Sequence, residues 1–386
     1  MSDNSIGNPF GSELLKREEN RQSIIVKTSV IGIITNIFLA AFKAGVGIIS
    51  KSIAVTLDAV NNLTDAISSI ITIAGAKLSG KRPDKKHPLG HGRAEYLSSM
   101  IIAAIILYAG ITAFTESVKK IISPEKPEYT AVSLIIIAVA VPVKIILGSF
   151  FKKRGKAVNS GSLIASGSDA LFDAVISASV LVSALVYMAF KISTEAYVGA
   201  VISIFIIKAG IEIMIETVND ILGRRSDPEL TKKIKSIISS HDGVRGAYDL
   251  IINNYGPEKN YASVHIEVPD TMTANEIDLI ARHLSEDVYV ETGIILTAIG
   301  IYSYNTGCDE SAKMRDRVTE AVLSHDWAIQ VHGFYVDMDK KDMRFDVVLS
   351  FAIDPKEALK IIYSEIESIC PGYRITIAPD VDLSDI

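Results

Sequence analysis

The sequence predicts a membrane α-helical half of six spans followed by a cytoplasmic α+β half built as two small units in tandem. Three observations carry that expectation. The chain of 386 residues is 48% apolar yet 22% charged, too oily for an ordinary soluble protein and too charged for a wholly buried one. Apolar stretches near the ~20 residues a helix needs to cross hydrocarbon recur up to residue 222 and then stop. After that boundary one order of helices and strands is read twice.

The spans are expected at 27–50, 53–79, 94–117, 130–151, 162–190 and 194–218. The residues before the first are polar and charged, without the basic start, short apolar core and small-residue cleavage site of a signal peptide. Basic residues set the orientation. Lys16, Arg17, Arg21 and Lys27, then Lys81, Arg82, Lys85, Lys86 and Arg93, then Lys152, Lys153, Arg154 and Lys156, then Arg224 and Arg225 fall on one side. The other side carries only Lys51, Lys119, Lys120, Lys126 and Lys191. The expectation is a multi-pass protein of the cell membrane with both termini in the cytoplasm.

Beyond the spans the pattern reads helix 227–240, strand 245–254, strand 260–268, helix 273–288 and strand 292–303. Alternation in "YASVHIEV" and the turn residues of "NNYGPEKN" support a hairpin. The order returns as helix 309–325, strand 329–338, strand 343–352, helix 355–369 and strand 373–378. The triplet Ser-His-Asp stands at Ser240 and again at Ser324, each time at the end of the first helix. This gives three domains: 1–222 in the membrane, 223–305 as a first α+β unit and 306–386 as a second. Cys308 and Cys370 both fall in the cytoplasmic part, where thiols stay reduced, and neither has a Cys-x-x-Cys partner.

Acids interrupt the apolar spans. An ionised Asp at the bilayer centre costs roughly 2.5–3.5 kcal/mol, which calls for a partner or a wet cavity. Asp169 and Asp173 stand at i and i+4 on one face of the fifth span, and Asn61 and Asp65 repeat that spacing in the second, with Asp58 further along the same face. Two like charges that close repel unless a cation or proton lies between them. Asn61 or Asn62 alone would serve as interhelical hydrogen-bond glue, and Asp65 or Asp169 could neutralise Lys43, Lys144 or Lys208. Two matched pairs on two helices favour an ion site between the spans.

The stretches "NNLTD", "SDALFD" and "DKKHPLGHGRAE" resemble the cation diffusion facilitator family over roughly residues 20–305. The resemblance implies a six-span homodimer that exchanges divalent metal for protons. In the zinc-moving members the second span offers two Asp and the fifth His then Asp; the matching positions here are Asn61 and Asp65, then Asp169 and Asp173. An all-oxygen set suits harder ions such as manganese better than zinc, and it resembles that of the family's bacterial manganese exporters. The cargo is therefore expected to be Mn²⁺, with Zn²⁺, Fe²⁺ or Cd²⁺ as alternatives, coupled to H⁺ that is taken up when metal leaves, and no prosthetic group is expected. Asp84, His87 and His91 match the family's second metal site; their other reading is that they position the start of the third span. The resemblance also implies a ferredoxin-like, metallochaperone-like fold for the cytoplasmic domain, where the dimer forms. His265 is kept there, but Tyr248 and Thr297 stand where the zinc branch has histidines. His332 follows His325 at the spacing at which Tyr248 follows His241, and His265 and His332 are carried as further candidate ligands.

The chain lacks G-x-x-x-x-G-K-[ST], G-x-S-x-G and His-Glu-x-x-His, so neither ATP-driven transport nor hydrolase chemistry is expected. A net charge of −6 without a basic, aromatic-rich surface signal argues against nucleic acid as a partner. A metal-gated channel or membrane metal sensor is the alternative of a different class, although a tight multidentate site holds ions too strongly for fast conduction.

Overall fold

A computed structural model describes residues 9–49, 53–124, 130–190, 192, 194–257, 259–307 and 309–381. The side chains of 9–18, 47, 53–58, 60 and 381 are outside that description. Asp58 therefore lies outside the described side chains and Cys308 outside the described residues; Cys370 is buried and free. The chain divides into two compact units, residues 1–224 with 254–259, and residues 225–253 with 260–386.

The first unit holds six long helices: α1 (Pro9–Ile49), α2 (Ile53–Ser79), α3 (Ala94–Ile122), α4 (Ala131–Ala157), α5 (Gly161–Phe190) and α6 (Glu195–Leu222). Among the described residues, 5 helices are long and apolar enough to cross a membrane. The exception is α2, 27 residues long, which is interrupted by Asp58, Asn61, Asn62 and Asp65. Five of the six expected spans thus meet that measure, and the polar residues that raised interest in α2 are also what lower its hydropathy. The start of the first helix is corrected too: α1 begins at Pro9, because "ELLKREENRQ" is made of strong helix formers and proline suits a first helical turn.

Helices α3 and α6, α1 and α2, and α4 and α5 form the main packed pairs. Backbone approaches backbone between α4 and α5, since a Cβ on Gly148 would come 2.8 Å from the Gly167 carbonyl oxygen and one on Gly167 would come 2.8 Å from the Lys152 nitrogen. Small residues at such contacts are how helices pack tightly where no hydrophobic drive acts between them. Large apolar side chains such as Ile34, Phe38, Ile146 and Phe205 are exposed on the outside of the unit, as lipid contact requires. Near the start of α3, the fully buried Glu95 receives both terminal nitrogens of Arg21, at 2.8 and 2.9 Å. Arg21 Nε also donates to the Val158 carbonyl at 2.7 Å, so one guanidinium ties α1 to α3 and to the α4–α5 turn.

The second unit runs α7 (Pro228–Ser239), β1 (Gly246–Asn254), β2 (Asn260–Pro269), α8 (Ala274–Thr292), β3 (Ile295–Tyr304), α9 (Glu310–Leu323), β4 (Ala328–Asp337), β5 (Asp342–Leu349), α10 (Pro355–Ile369) and β6 (Arg374–Val381). The same order thus occurs twice, with one sheet ordered β1-β2-β3 and another β4-β5-β6. β2 pairs with β3, and β5 with β6, in parallel. Each half has its own core, one around Ile234, Val264, Ile266 and Leu284, the other around Val322, Phe345, Val347 and Ile362. The repeated Ser-His-Asp triplet has a structural meaning. His241 Nε2 lies 2.9 Å from Asp287 on α8, and His325 Nε2 lies 2.9 Å from Glu365 on α10, so each histidine fastens the first helix of its half to the second. Strand β5 ends at Leu349 rather than running to 352, because the chain turns there into the Asp354 cap of α10.

Candidate metal centre

Asp65 on α2 and Asp173 on α5 meet at one cation, Lys144 of α4. Its ammonium donates to Asp65 Oδ2 and, at 2.9 Å, to Asp173 Oδ2, and only 6% of its side chain is exposed. The close α4–α5 contact brings Lys144 within reach of Asp173, and Pro142, two residues earlier in α4, interrupts the helix's hydrogen-bond ladder just before it. Asp169 is half-buried one turn before Asp173 and lies within electrostatic reach of both Asp65 and Asp173. Asn61 is exposed, whereas its neighbour Asn62 is buried with its amide nitrogen unpartnered among the described residues.

The structure thus brings Asp65 and Asp173 to one point. Among the described residues it does not place the three acids so that their oxygens lie within 4.8 Å of one another, since the ammonium stands between two of them. Pairing of an acid with a lysine, one of the readings open at the sequence level, occurs, but the acids that meet Lys144 are Asp65 and Asp173 rather than Asp65 or Asp169. Lys208 pairs instead with Glu212, one turn along its own helix. Chemically the arrangement is two carboxylates from different helices neutralised by one tethered ammonium.

Asp84, His87 and His91 are brought together in the loop between α2 and α3, with ligand atoms within 4.8 Å of one another. His87 Nδ1 and His91 Nε2 lie 3.5 and 3.6 Å from the two Asp84 oxygens, and the two rings stand 4.5 Å apart. The loop is a tight turn in which Asp84 and His87 exchange backbone hydrogen bonds. The His87 backbone N–H first, and then Lys81, hold the Asp84 carboxyl well below the usual carboxylate range. His91 Nδ1 is buried without a hydrogen-bond partner among the described residues. The trio is a nitrogen–oxygen set that could hold a metal ion, and it sits in the turn that leads into α3.

His265 and His332 both lie against Asp249, His265 Nδ1 at 2.9 Å and His332 Nε2 at 2.8 Å. Neither Asp249 nor Asp380 stands out in the sequence: Asp249 lies on β1 beside the strand that carries His265, a signal available there, whereas Asp380 lies on β6, two strands away from His332. Lys144 was read only as a possible neutralising partner, not as part of the site.

The family model described as the cation efflux transmembrane domain matches residues 29–222. That of the cation efflux protein cytoplasmic domain matches residues 226–296. An uncharacterised transporter of Methanocaldococcus jannaschii is 29% identical over 253 residues, 66% of this chain and 89% of the relative. A manganese efflux system protein of Bacillus subtilis is 27% identical over 276 residues, 69% of this chain and 92% of the relative. A cation-efflux pump of Citrobacter koseri is 23% identical over 238 residues, 61% of this chain and 79% of the relative.

Proposed function

The chain belongs to the cation efflux family and exports divalent metal ions, and on that premise we propose that its cargo is manganese, exchanged for protons. Asp65 and Asp173 carry this reading, because they converge through oxygen on one buried cation with no imidazole beside it among the described residues. Carboxylate and amide oxygens suit Mn²⁺, whereas imidazole favours zinc. The manganese efflux relative in Bacillus subtilis supports the same choice. In this reading Asn61, Asp65, Asp169 and Asp173 are the cargo's ligands, α2 is the sixth span with its polar face turned to the ion path, and both termini lie in the cytoplasm. The second unit forms the homodimer contact.

Charge balance sets the order of events. Without cargo, Lys144 covers the charge that Asp65 and Asp173 share. An entering dication must push the ammonium aside to gain both oxygens, and proton uptake by the acid cluster as the metal leaves restores balance. Asp84, His87 and His91 would serve as a cytoplasmic metal site whose loss leaves part of the flux.

Mn²⁺ against Zn²⁺ flux in proteoliposomes tests the proposal with wild type, Asp173→Ala and Asn61→Asp. Manganese is expected to move, Asp173→Ala to lower flux at least about 100-fold, as loss of a charged ligand worth ~3 kcal/mol implies, and Asn61→Asp to change the preference between the metals. Transport of zinc alone would leave efflux standing and overturn the assignment of manganese.

A further inference from the structure

The two halves of the second unit bring one polar cluster together from six strands. At its centre His332 of β4 has 1% of its side chain exposed, and among the described residues neither ring nitrogen makes a well-aligned hydrogen bond. An unsatisfied buried polar group costs ~1–3 kcal/mol, so an imidazole held only by the charge of a neighbouring carboxylate needs a reason. His332 Nε2 approaches Asp249 Oδ1 to 2.8 Å without the alignment of a hydrogen bond, and Asp380 Oδ2 to 3.8 Å. The ligand atoms of Asp249, His332 and Asp380 all lie within 4.8 Å of one another. Donors at about 2.2 Å from an ion stand up to about 4.4 Å apart across it, so the spacing is that of a chelate.

The surroundings are shaped to hold these groups. The other Asp249 oxygen lies 2.9 Å from His265 Nδ1 and accepts the Tyr302 hydroxyl at 2.8 Å. That hydroxyl is also 2.8 Å from Asp346 Oδ2, and its single proton serves only one of the two carboxylates at a time. His265 stacks on Tyr302 and His332 on Tyr248, which fixes both rings. Asp249 takes a φ of 51° inside β1, a conformation that costs a non-glycine residue of order 1–3 kcal/mol and persists where the site around it demands it. Opposite His265 in the β2–β3 register is Gly300, where any Cβ would come 2.0 Å from the His265 ring.

We propose that Asp249, His332 and Asp380 bind a divalent transition-metal ion, with His265, Tyr302 and Asp346 orienting the ligands, and that the ion fastens the two α+β halves together. One imidazole with two carboxylates is a borderline donor set, open to Mn²⁺ and Zn²⁺ alike. His332 and Asp380 lie beyond residue 296, where the match to the family's cytoplasmic domain ends, so the site belongs to this longer chain. The inference does not rest on the choice of cargo or on transport.

The test uses the full chain in detergent, in a background that removes the other two candidate centres without leaving a buried charge uncompensated and that is first shown to fold: Asp65→Asn, Lys144→Met, Asp173→Asn, His87→Ala and His91→Ala. After chelator treatment, equilibrium dialysis against MnCl₂ or ZnCl₂ with elemental analysis counts bound metal. The background should keep about one ion per chain. His332→Gln or Asp380→Asn should weaken that ion at least about tenfold, and His325→Gln, whose ring pairs with Glu365, should leave it unchanged. Asp380→Asn, at a half-buried position, gives the answer should His332→Gln not fold, as judged by circular dichroism and gel filtration. A background that binds neither metal, or binding indifferent to both substitutions in folded protein, would reduce the cluster to a histidine–carboxylate ion pair and overturn the proposal.

Discussion

Lys144 is the residue on which the intramembrane site turns. A lysine sealed between two carboxylates is stable only as a member of the set, since removing one partner of a buried ion pair leaves the others uncompensated and destabilises by ~3–5 kcal/mol. Lys144→Met is therefore expected to lower the Tm of the metal-free protein, and Mn²⁺ should raise it by more than in wild type, because the dication then meets two carboxylates with no competitor. Thermal unfolding with and without MnCl₂ reads this directly, and an equal metal-induced rise in both proteins would show that Lys144 and the metal do not compete. The acids were legible in the sequence because carboxylates at i and i+4 in an apolar span have few other uses. Their lysine was not. Sequence spacing reports which groups share a face of one helix, whereas the choice among Lys43, Lys144 and Lys208 depends on how far the neighbouring helices are rotated and how closely they approach.

That approach is decided at the level of α4 and α5. The pair is locked through Gly148 and Gly167, where an added Cβ would meet opposing backbone, which cannot swing away, as well as the side chains of Leu171 and Lys152. Gly167→Val should push α5 outward, draw Asp173 away from Lys144 and cut Mn²⁺ flux about tenfold or more, a misplacement effect rather than a lost ligand. Gly45→Ala in α1, where a Cβ would meet nothing within 4 Å, is the control and should leave flux intact. Retained flux in Gly167→Val would mean that the site does not depend on this contact. The helices themselves were largely legible from their apolar length, but α2 was read as a span like the others although its polar residues set it apart from the 5 apolar ones. The long start of α1 was missed because charged, strongly helix-forming residues look like a solvated tail when only hydropathy is followed. In the second unit the strand order followed from alternation and turn residues, and the repeated Ser-His-Asp proved to mark one recurring helix-to-helix contact.

For the molecule as a whole, metal and protons should move in opposite directions. Mn²⁺ flux in reconstituted vesicles is expected to rise when an imposed proton gradient opposes it and to fall back when an ionophore collapses that gradient; flux indifferent to the gradient would remove the antiport. The division into a membrane half and an α+β half was visible in the composition. The cluster joining Asp249 of β1 to Asp380 of β6 was not, because its donors are scattered over both halves of the second unit and meet only once ten elements have folded. Lys144 has one more consequence at this scale. A carrier that keeps its counter-ion covalently attached has no small ion to lose while idle, so its resting pathway is plugged by part of its own chain. If the proposed ion path runs through this pair, sodium and potassium, with a single charge each and a hydration shell to give up, gain nothing by displacing an ammonium already seated on Asp65 and Asp173, and the membrane would stay tight to the ions that set its voltage.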